Sequence, residues 1–346
     1  MTAMAGDPRR FYMGEALDEA RRGWGLTNPN PMVGAVVVKD GEVIGRGFHR
    51  GAGLPHAEIE ALADVRKRGG DPAGAELYVT LEPCSTTGRT GPCTEAILAA
   101  GVKLVVVGAI DPNPRHAGRG IAILRDRGVT VETGVSEREC SKLNYSFFKW
   151  IVTGRPFVTL KLATTLDGRI AASSGDSKWV TGEAARSRVQ QLRRLADAIM
   201  VGGETLRRDA PRLTVREPAG WRRQPWRIVV TRDAELAAKL REIYPDGRGE
   251  AVDLPDASAW DAFLLELGRR NMIDLLIEGG GELAASALAA HAVDRAEFHV
   301  APKILGGRDS RPAVGGASPE LMAMARTLRN VEVARLGDDV MISGDL

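Results

Sequence analysis

Three side chains in this 346-residue sequence have the types and setting of ligands for a catalytic metal: His56, Cys84 and Cys93. One imidazole nitrogen and two sulfurs suit zinc, and three protein ligands leave the fourth tetrahedral position to water, the arrangement of a catalytic site. Zinc brings the pKa of such a water to about 7 and so supplies hydroxide at neutral pH. Glu58 follows His56 by two residues, near enough to reach that water without binding the metal, where a proton carrier must stand. Taken singly, each has a plain structural reading: a polar helix end, small buried cysteines, an acid complementing a helix dipole. Their conjunction outweighs those readings. Cys140 lies apart from them in a helical segment and reads as structural.

The elements around these residues must bring them together. Phe11, Tyr12, Ala16, Leu17 and Ala20 recur at helical spacing over 9–22, and Gly23 stops the helix. The Asn28-Pro29-Asn30-Pro31 run is a turn or extended loop. Segments 33–40 and 42–49 read as strands joined in a hairpin across Asp40-Gly41. His56 opens a helix over 56–69, Pro83-Cys84 ends a strand over 75–83, and Cys93 opens a helix over 93–101. The apolar run 102–110 suits a strand buried on both faces of a parallel sheet. A helix at 118–128 and a strand at 129–134 follow, and 135–155 reads as one connecting helix. The second half alternates again: strand 157–163, helix 182–195, strands 198–202 and 227–231, helix 258–270, strand 273–280, helix 282–290 and strand 296–305. A strand pair, 331–337 and 340–346, closes the chain through Asp338-Asp339. Segments 206–225 and 305–320 read as loops long enough to be functional. The expected fold class is α/β, with domains at 1–150 and 151–346 and no internal repeat.

Composition bounds the function. Apolar residues make up 44% and charged residues 27%, and the formal net charge is +2. The halves carry 19 basic against 18 acidic residues and 28 against 27, so neither is a nucleic-acid arm or a polybasic membrane patch. No apolar run approaches the roughly 20 residues of a membrane helix. The amino-terminal segment lacks an apolar signal core. Three cysteines are too few for a disulfide scaffold. The expectation is a cytoplasmic protein acting on a small molecule, with no nucleic-acid or membrane partner.

His56-Ala57-Glu58, then a strand, then Thr80-Leu81-Glu82-Pro83-Cys84 and a second cysteine at a helix start reproduce the zinc-deaminase signature. Nucleobase deaminases place two residues between the cysteines, whereas eight intervene here. That insertion, with Asn28-Pro29-Asn30-Pro31-Met32-Val33-Gly34, Asp111-Pro112-Asn113-Pro114 and Gly118-Arg119-Gly120, resembles the bifunctional riboflavin-biosynthesis family. In that family a diaminohydroxyphosphoribosylaminopyrimidine deaminase is fused to a 5-amino-6-(5-phosphoribosylamino)uracil reductase. The resemblance implies a cytidine-deaminase-like α/β/α domain first, with Asn28 and Arg89 contacting substrate. The chain departs from the family in having Thr86-Thr87 where an aromatic or histidine pair is common, and Gly91 where proline is usual. Arg89 is then the candidate to meet the ribose phosphate.

In the second half, Glu278-Gly279-Gly280-Gly281-Glu282-Leu283-Ala284 runs from a strand through glycines into a helix, a way of offering backbone N–H groups to phosphate. It fits G-x-G-x-x-A but lacks the acid about 20 residues on that a dinucleotide fingerprint needs. Spacing alone leaves a phosphate turn and a tight packing turn both open. Lys161-Leu162-Ala163, Leu166-Asp167-Gly168-Arg169-Ile170-Ala171, Ser177-Lys178-Trp179-Val180-Thr181 and Ala301-Pro302-Lys303-Ile304-Leu305-Gly306-Gly307 resemble the family's reductase domain, which is similar to dihydrofolate reductase and uses NADPH. The resemblance implies cofactor contacts at Ala163, Trp179, Thr205, Asp209, Gly280, Gly281, Glu282, Leu283, Ala284, Ala285 and Ser286. It implies substrate contacts at Lys161, Ser177, Arg193, Leu213, Arg216 and Glu278, with Arg193 and Arg216 as guanidinium forks for a sugar phosphate.

The function so implied is hydrolytic deamination of a phosphoribosylaminopyrimidine, then NADPH reduction of its ribosyl group to ribityl, by a chain that is a homodimer by resemblance. Two other readings stand beside it. One is a zinc deaminase of another base, nucleoside or tRNA joined to a different reductase; the insertion between the cysteines weighs against it. The other is a zinc-binding regulatory protein without turnover, which would have no use for Glu58.

Overall fold

Asp7 starts the first helix by accepting the Arg9 backbone N–H at 3.0 Å, with Pro8 at the first helical position. The computed structural model describes residues 7–86 and 91–346. The chain divides into two compact units, Met1–Gly154 and Arg155–Leu346.

In the first unit, α1 (Pro8–Arg21) leads into the hairpin β1 (Gly34–Lys39) and β2 (Glu42–Phe48), which turns through Asp40 and Gly41 at φ 53° and 81° as the Asp-Gly pair predicts. Then come α2 (Ala57–Lys67), β3 (Glu76–Leu81), α3 (Cys93–Ala99), β4 (Leu104–Ala109), α4 (Arg119–Asp126), β5 (Thr130–Thr133), α5 (Glu137–Leu143) and α6 (Tyr145–Thr153). The sheet order is β2-β1-β3-β4-β5, antiparallel through β1 and parallel from β3 onward. Val105, Val106 and Val107 of β4 are fully buried because helices cover both faces. Helix α2 packs directly on β2 at Gly47, where a Cβ would fall 2.3 Å from the Ala61 nitrogen. Glycine there lets the helix bearing Glu58 settle against the sheet.

The expected single helix over 135–155 is two. Asn144 leaves helical geometry at φ −121°, and its side-chain amide clasps Met32, accepting the Met32 N–H at 2.7 Å and donating to its carbonyl at 2.8 Å. The clasp anchors the helix break to the segment that follows the Asn28-Pro29-Asn30-Pro31 run.

The second unit runs β6 (Phe157–Thr165), β7 (Arg169–Ala171), α7 (Glu183–Leu195), β8 (Ala198–Gly202), α8 (Gly203–Asp209), β9 (Trp226–Val230), α9 (Ala234–Ala238), α10 (Leu240–Ile243), β10 (Gly249–Val252), α11 (Ala257–Arg269), β11 (Asp274–Glu278), α12 (Gly281–Ala289), β12 (Arg295–Ala301), β13 (Arg311–Pro312), β14 (Arg329–Leu336) and β15 (Asp339–Asp345). Eight strands form one sheet in the order β10-β9-β8-β11-β6-β12-β15-β14, parallel up to β12 and antiparallel beyond. The loop expected from 206 begins only after α8, and the loop expected at 305–320 contributes β13, which pairs with β7. The last hairpin turns through Gly337 and Asp338, one residue earlier than expected, because Gly337 takes the left-handed φ of 67° and Asp339 pairs with Leu336.

One contact couples the catalytic strand to its neighbour. Glu82 follows β3 and is 6% exposed. Its carboxylate accepts the backbone N–H groups of Asp111, Gly118, Gly120 and Ile121 at 3.3, 2.9, 3.0 and 3.4 Å. It thereby satisfies the start of α4 from outside that helix and holds the 110–118 loop in place. Glu82→Gln replaces an acceptor with an amide donor aimed at N–H groups. Equilibrium urea unfolding should show a loss of about 2 kcal/mol; an unchanged midpoint would contradict this account.

Candidate active sites

His56 caps α2, Cys84 lies three residues past the end of β3, and Cys93 opens α3. These three segments bring the ligand atoms within 4.8 Å of one another. His56 Nδ1 lies 3.2 Å from Cys93 Sγ and 3.4 Å from Cys84 Sγ, and the Cys93 backbone N–H donates to Cys84 Sγ at 3.3 Å. The donor set fits zinc: one nitrogen and two sulfurs converge, and among the described residues no fourth histidine, cysteine or carboxylate joins them. The Cys84 thiol is lowered to about 4, first by its hydrogen bond with Cys93; burial opposes this and His56 adds to it. Its partner Cys93 is pushed up by the same bond and by burial. Glu58 is 3% exposed, and burial, with the Cys84 charge adding, raises its carboxyl to about 7.

A cavity of about 320 Å³ opens beside this set and includes Glu58. The Asp111-Pro112-Asn113 loop supplies Asp111 and Asn113 to its wall, α6 supplies Phe147 and Trp150, and His49 joins from after β2. His49 stacks edge-on against His56 with centroids 5.3 Å apart and contacts Asn30 Nδ2 through Nε2 at 3.1 Å. Asn30, rather than Asn28, lines the cavity. Arg89 lies outside the described residues. Cys140 is fully buried in α5 against β4, as its structural reading requires.

The second unit holds a cavity of about 650 Å³ over the ends of β6, β8 and β11. Ala163, Trp179, Thr205, Asp209, Gly280, Gly281, Glu282, Leu283 and Ser286 all line it, as do Lys161, Ser177, Arg193, Arg216 and Glu278. Gly279 and Gly280 take φ of 91° and 89°, and a Cβ on Gly281 would come 2.7 Å from the Pro312 carbonyl. The turn therefore presents bare backbone and the start of α12 to the cavity, a cradle that suits a dinucleotide phosphate. Trp179 is 64% exposed at the rim, with the Arg186 guanidinium 4.9 Å from its ring centroid. The indole face away from Arg186 offers a surface for stacking on a planar ligand.

Several residues stand elsewhere than expected. Leu213 is 2% exposed and packs in the core with Val201, Leu206 and Leu236, so it offers no side chain to a ligand. Ala284 is fully buried beneath the glycine turn, and Ala285 is not part of the cavity wall. Arg193 does not present a free fork: Nε and Nη2 bind the Glu278 carboxylate at 2.6 and 2.8 Å, and Nη1 binds the Thr214 carbonyl at 3.1 Å. Arg216 is exposed on the same wall with no ion-pair partner among the described residues. Glu82, Asn144 and Gln190 were not singled out from sequence, since each acts through contacts made by distant segments, nor was Arg186, whose guanidinium meets the nearby Trp179 ring.

Comparison with known proteins covers both units. A family model described as the RibD C-terminal domain matches residues 156–342. A second, for the cytidine and deoxycytidylate deaminase zinc-binding region, matches 7–109. The riboflavin biosynthesis protein RibD of Actinobacillus pleuropneumoniae is 39% identical, over 96% of this chain and 93% of its own. That of Escherichia coli (strain K12) is 38% identical, over 96% and 98%. The structure of a diaminohydroxyphosphoribosylaminopyrimidine deaminase/5-amino-6-(5-phosphoribosylamino)uracil reductase from Thermotoga maritima superposes with a TM-score of 0.89 at 35% identity, covering 98% of each chain. Acinetobacter baumannii RibD gives 0.85 at 36%, again over 98% of both. With a zinc-deaminase α/β/α unit followed by a reductase unit over nearly its whole length, the chain belongs to the RibD family of riboflavin biosynthesis proteins.

Proposed function

We propose that this chain performs two successive steps of riboflavin biosynthesis: deamination of 2,5-diamino-6-(5-phosphoribosylamino)pyrimidin-4(3H)-one, then NADPH reduction of the ribosyl group to ribityl. The observation that carries the reading is the convergence of His56, Cys84 and Cys93 within 4.8 Å beside the buried Glu58, in a chain of this family.

His56, Cys84 and Cys93 would hold zinc, which would supply a water that ionises near neutral pH. Glu58 is buried beside these ligands, where burial raises its carboxyl and its place lets it take and return a proton. It carries one proton of the attacking water to the ring nitrogen, which keeps it, and the second to the departing amine, so that oxygen replaces nitrogen on the ring and ammonia leaves. Asp111, Asn113 and His49 offer polar groups to the pyrimidine and its substituents, and the α6 aromatics narrow the water around it. The cavity of the second unit would hold a reduced nicotinamide, which would supply the hydride for the anomeric carbon of the opened ribose, with a solvent proton completing the reduction. Ser177 and Asp209 stand on the cavity wall with the Lys161 ammonium, which is placed to bind the sugar oxygens. Arg216 takes the phosphate, since Arg193 is occupied by Glu278.

Two expectations about context belong to the same reading. No helix of the described residues is long and apolar enough to cross a membrane, and none of the three cysteines is in a disulfide, which suits action in the cytoplasm. The open edge of the large sheet suits a homodimer: Val331 and Val333 of β14 are 54% and 68% exposed.

Glu58→Gln should release no ammonia from the substrate while binding zinc at wild-type stoichiometry, read by an ammonia assay and metal analysis; surviving turnover would remove Glu58 as the proton carrier. Arg216→Ala should raise KM for the deaminated intermediate about tenfold with little change in kcat, as loss of one phosphate contact requires. An equal fall in kcat would assign Arg216 to the chemistry instead. Val333→Lys should convert a dimer to a monomer in analytical ultracentrifugation, and a dimer that persists places the interface elsewhere.

A further inference from the structure

Lys161 sits in the middle strand of a charged row. Its register partner on β11 is Glu278, and its partner on β12 is Glu297. Register partners on adjacent strands project from the same face of a sheet, here the face that carries α7. Each carboxylate is already engaged by an arginine of that helix. Arg193 holds Glu278, and Arg188 Nε and Nη2 hold Glu297 at 3.1 and 2.9 Å. His299, two residues along β12, meets Glu297 a third time through Nε2 at 2.8 Å. The Lys161 ammonium makes no hydrogen bond or ion pair among the described residues.

Glu297 and His299 cannot act on a ligand directly. They are 2% and 0% exposed and lie outside the cavity wall. His299 Nδ1 is buried with no partner, so a proton there would be an orphaned donor. The ring therefore stays neutral, with its single proton on Nε2 donated to Glu297, and burial lowers its pKa accordingly. Burial would raise Glu297, but the His299 bond and Arg188 outweigh it and hold the carboxyl at about 2. A fixed negative charge thus stands on the strand beside Lys161, while its arginine partner approaches from the helix.

We infer that Glu297 is a positioning residue for the reductase step: clamped by Arg188 and His299, it keeps the neighbouring Lys161 ammonium charged and available to the sugar in the cavity. The inference rests on the reductase reading of that cavity. Burial pushes Lys161 down; Glu278 and Glu297 oppose that, and Arg193 reinforces it. The charged groups around the ammonium are Glu278 on β11, Glu297 on β12, and Arg188 and Arg193 on α7, with neutral His299 behind. Glu278 faces Arg193 on the cavity wall itself, so Glu297 is the carboxylate of the row held away from any ligand.

The test is the pH profile of kcat/KM for reduction of the deaminated intermediate by the full-length protein. Glu297→Gln removes the negative charge and leaves the Arg188 charge uncompensated by that carboxylate, so the alkaline limb should move to lower pH by about one unit. Arg188→Gln leaves the Glu297 charge uncompensated, so the same limb should move to higher pH. Shifts of opposite sign follow from charge and not from damaged packing, which would move both variants alike. Limbs that stay in place, or move in one direction together, overturn the inference. If Glu297→Gln does not fold, Arg188→Gln decides alone: a limb displaced to lower pH, or unmoved, overturns it. A wild-type protein that fails to reduce the intermediate at all would instead refute the reductase reading.

Discussion

The carboxylate of Glu82 lies between the strand that delivers Cys84 and the loop that walls the deaminase cavity, and no cation stands against it among the described residues. Four backbone N–H groups hold it instead. A carboxylate out of water must be met by donors or cations, or it gives up its charge. Each of those outcomes is used in this chain. Glu82 keeps its place on backbone donors and fixes a loop. Glu278 and Glu297 are met by arginines, the first on the wall of the reductase cavity and the second behind it. At Glu58 burial outweighs the lowering effects of His56, of its own backbone N–H and of Cys93, so the carboxyl is pushed up to about 7.

Packing sets the geometry within which those charges work. Helix α2 can carry His56 and Glu58 to the metal site because β2 presents glycine where the helix crosses it. The Asn144 clasp on Met32 ties the segment after the Asn-Pro-Asn-Pro loop to the α5–α6 junction, and α6 then walls the cavity. In the second unit the turn from β11 into α12 stays open because Gly279 and Gly280 take left-handed backbone angles.

Much of this was legible in the sequence, and the parts that were not have common causes. Hydrophobic periodicity and turn residues located the main helices and strands, and the zinc ligands with Glu58 were readable because fixed spacing and residue type carry their chemistry. The reductase contacts came from resemblance, and most of those residues do gather on one cavity wall. Leu213 and Ala284 turn out to be core side chains, which leaves only their backbone to meet a ligand, a distinction that residue type does not mark. Arg193 was expected to be a free phosphate fork; only the tertiary fold brings Glu278 to it, 85 residues away in sequence. The clasp at the Asn144 break meets a partner 112 residues away, and no local pattern announces it.

The central claim is that one chain replaces an amino group by oxygen and then reduces the attached sugar. Mass spectrometry of the diaminopyrimidinone ribosyl phosphate, incubated with zinc-loaded full-length protein with and without NADPH, tests it most directly. The account predicts the deaminated product alone without NADPH, and the same product carrying two further hydrogens with it. Substrate returned unchanged under both conditions would contradict it.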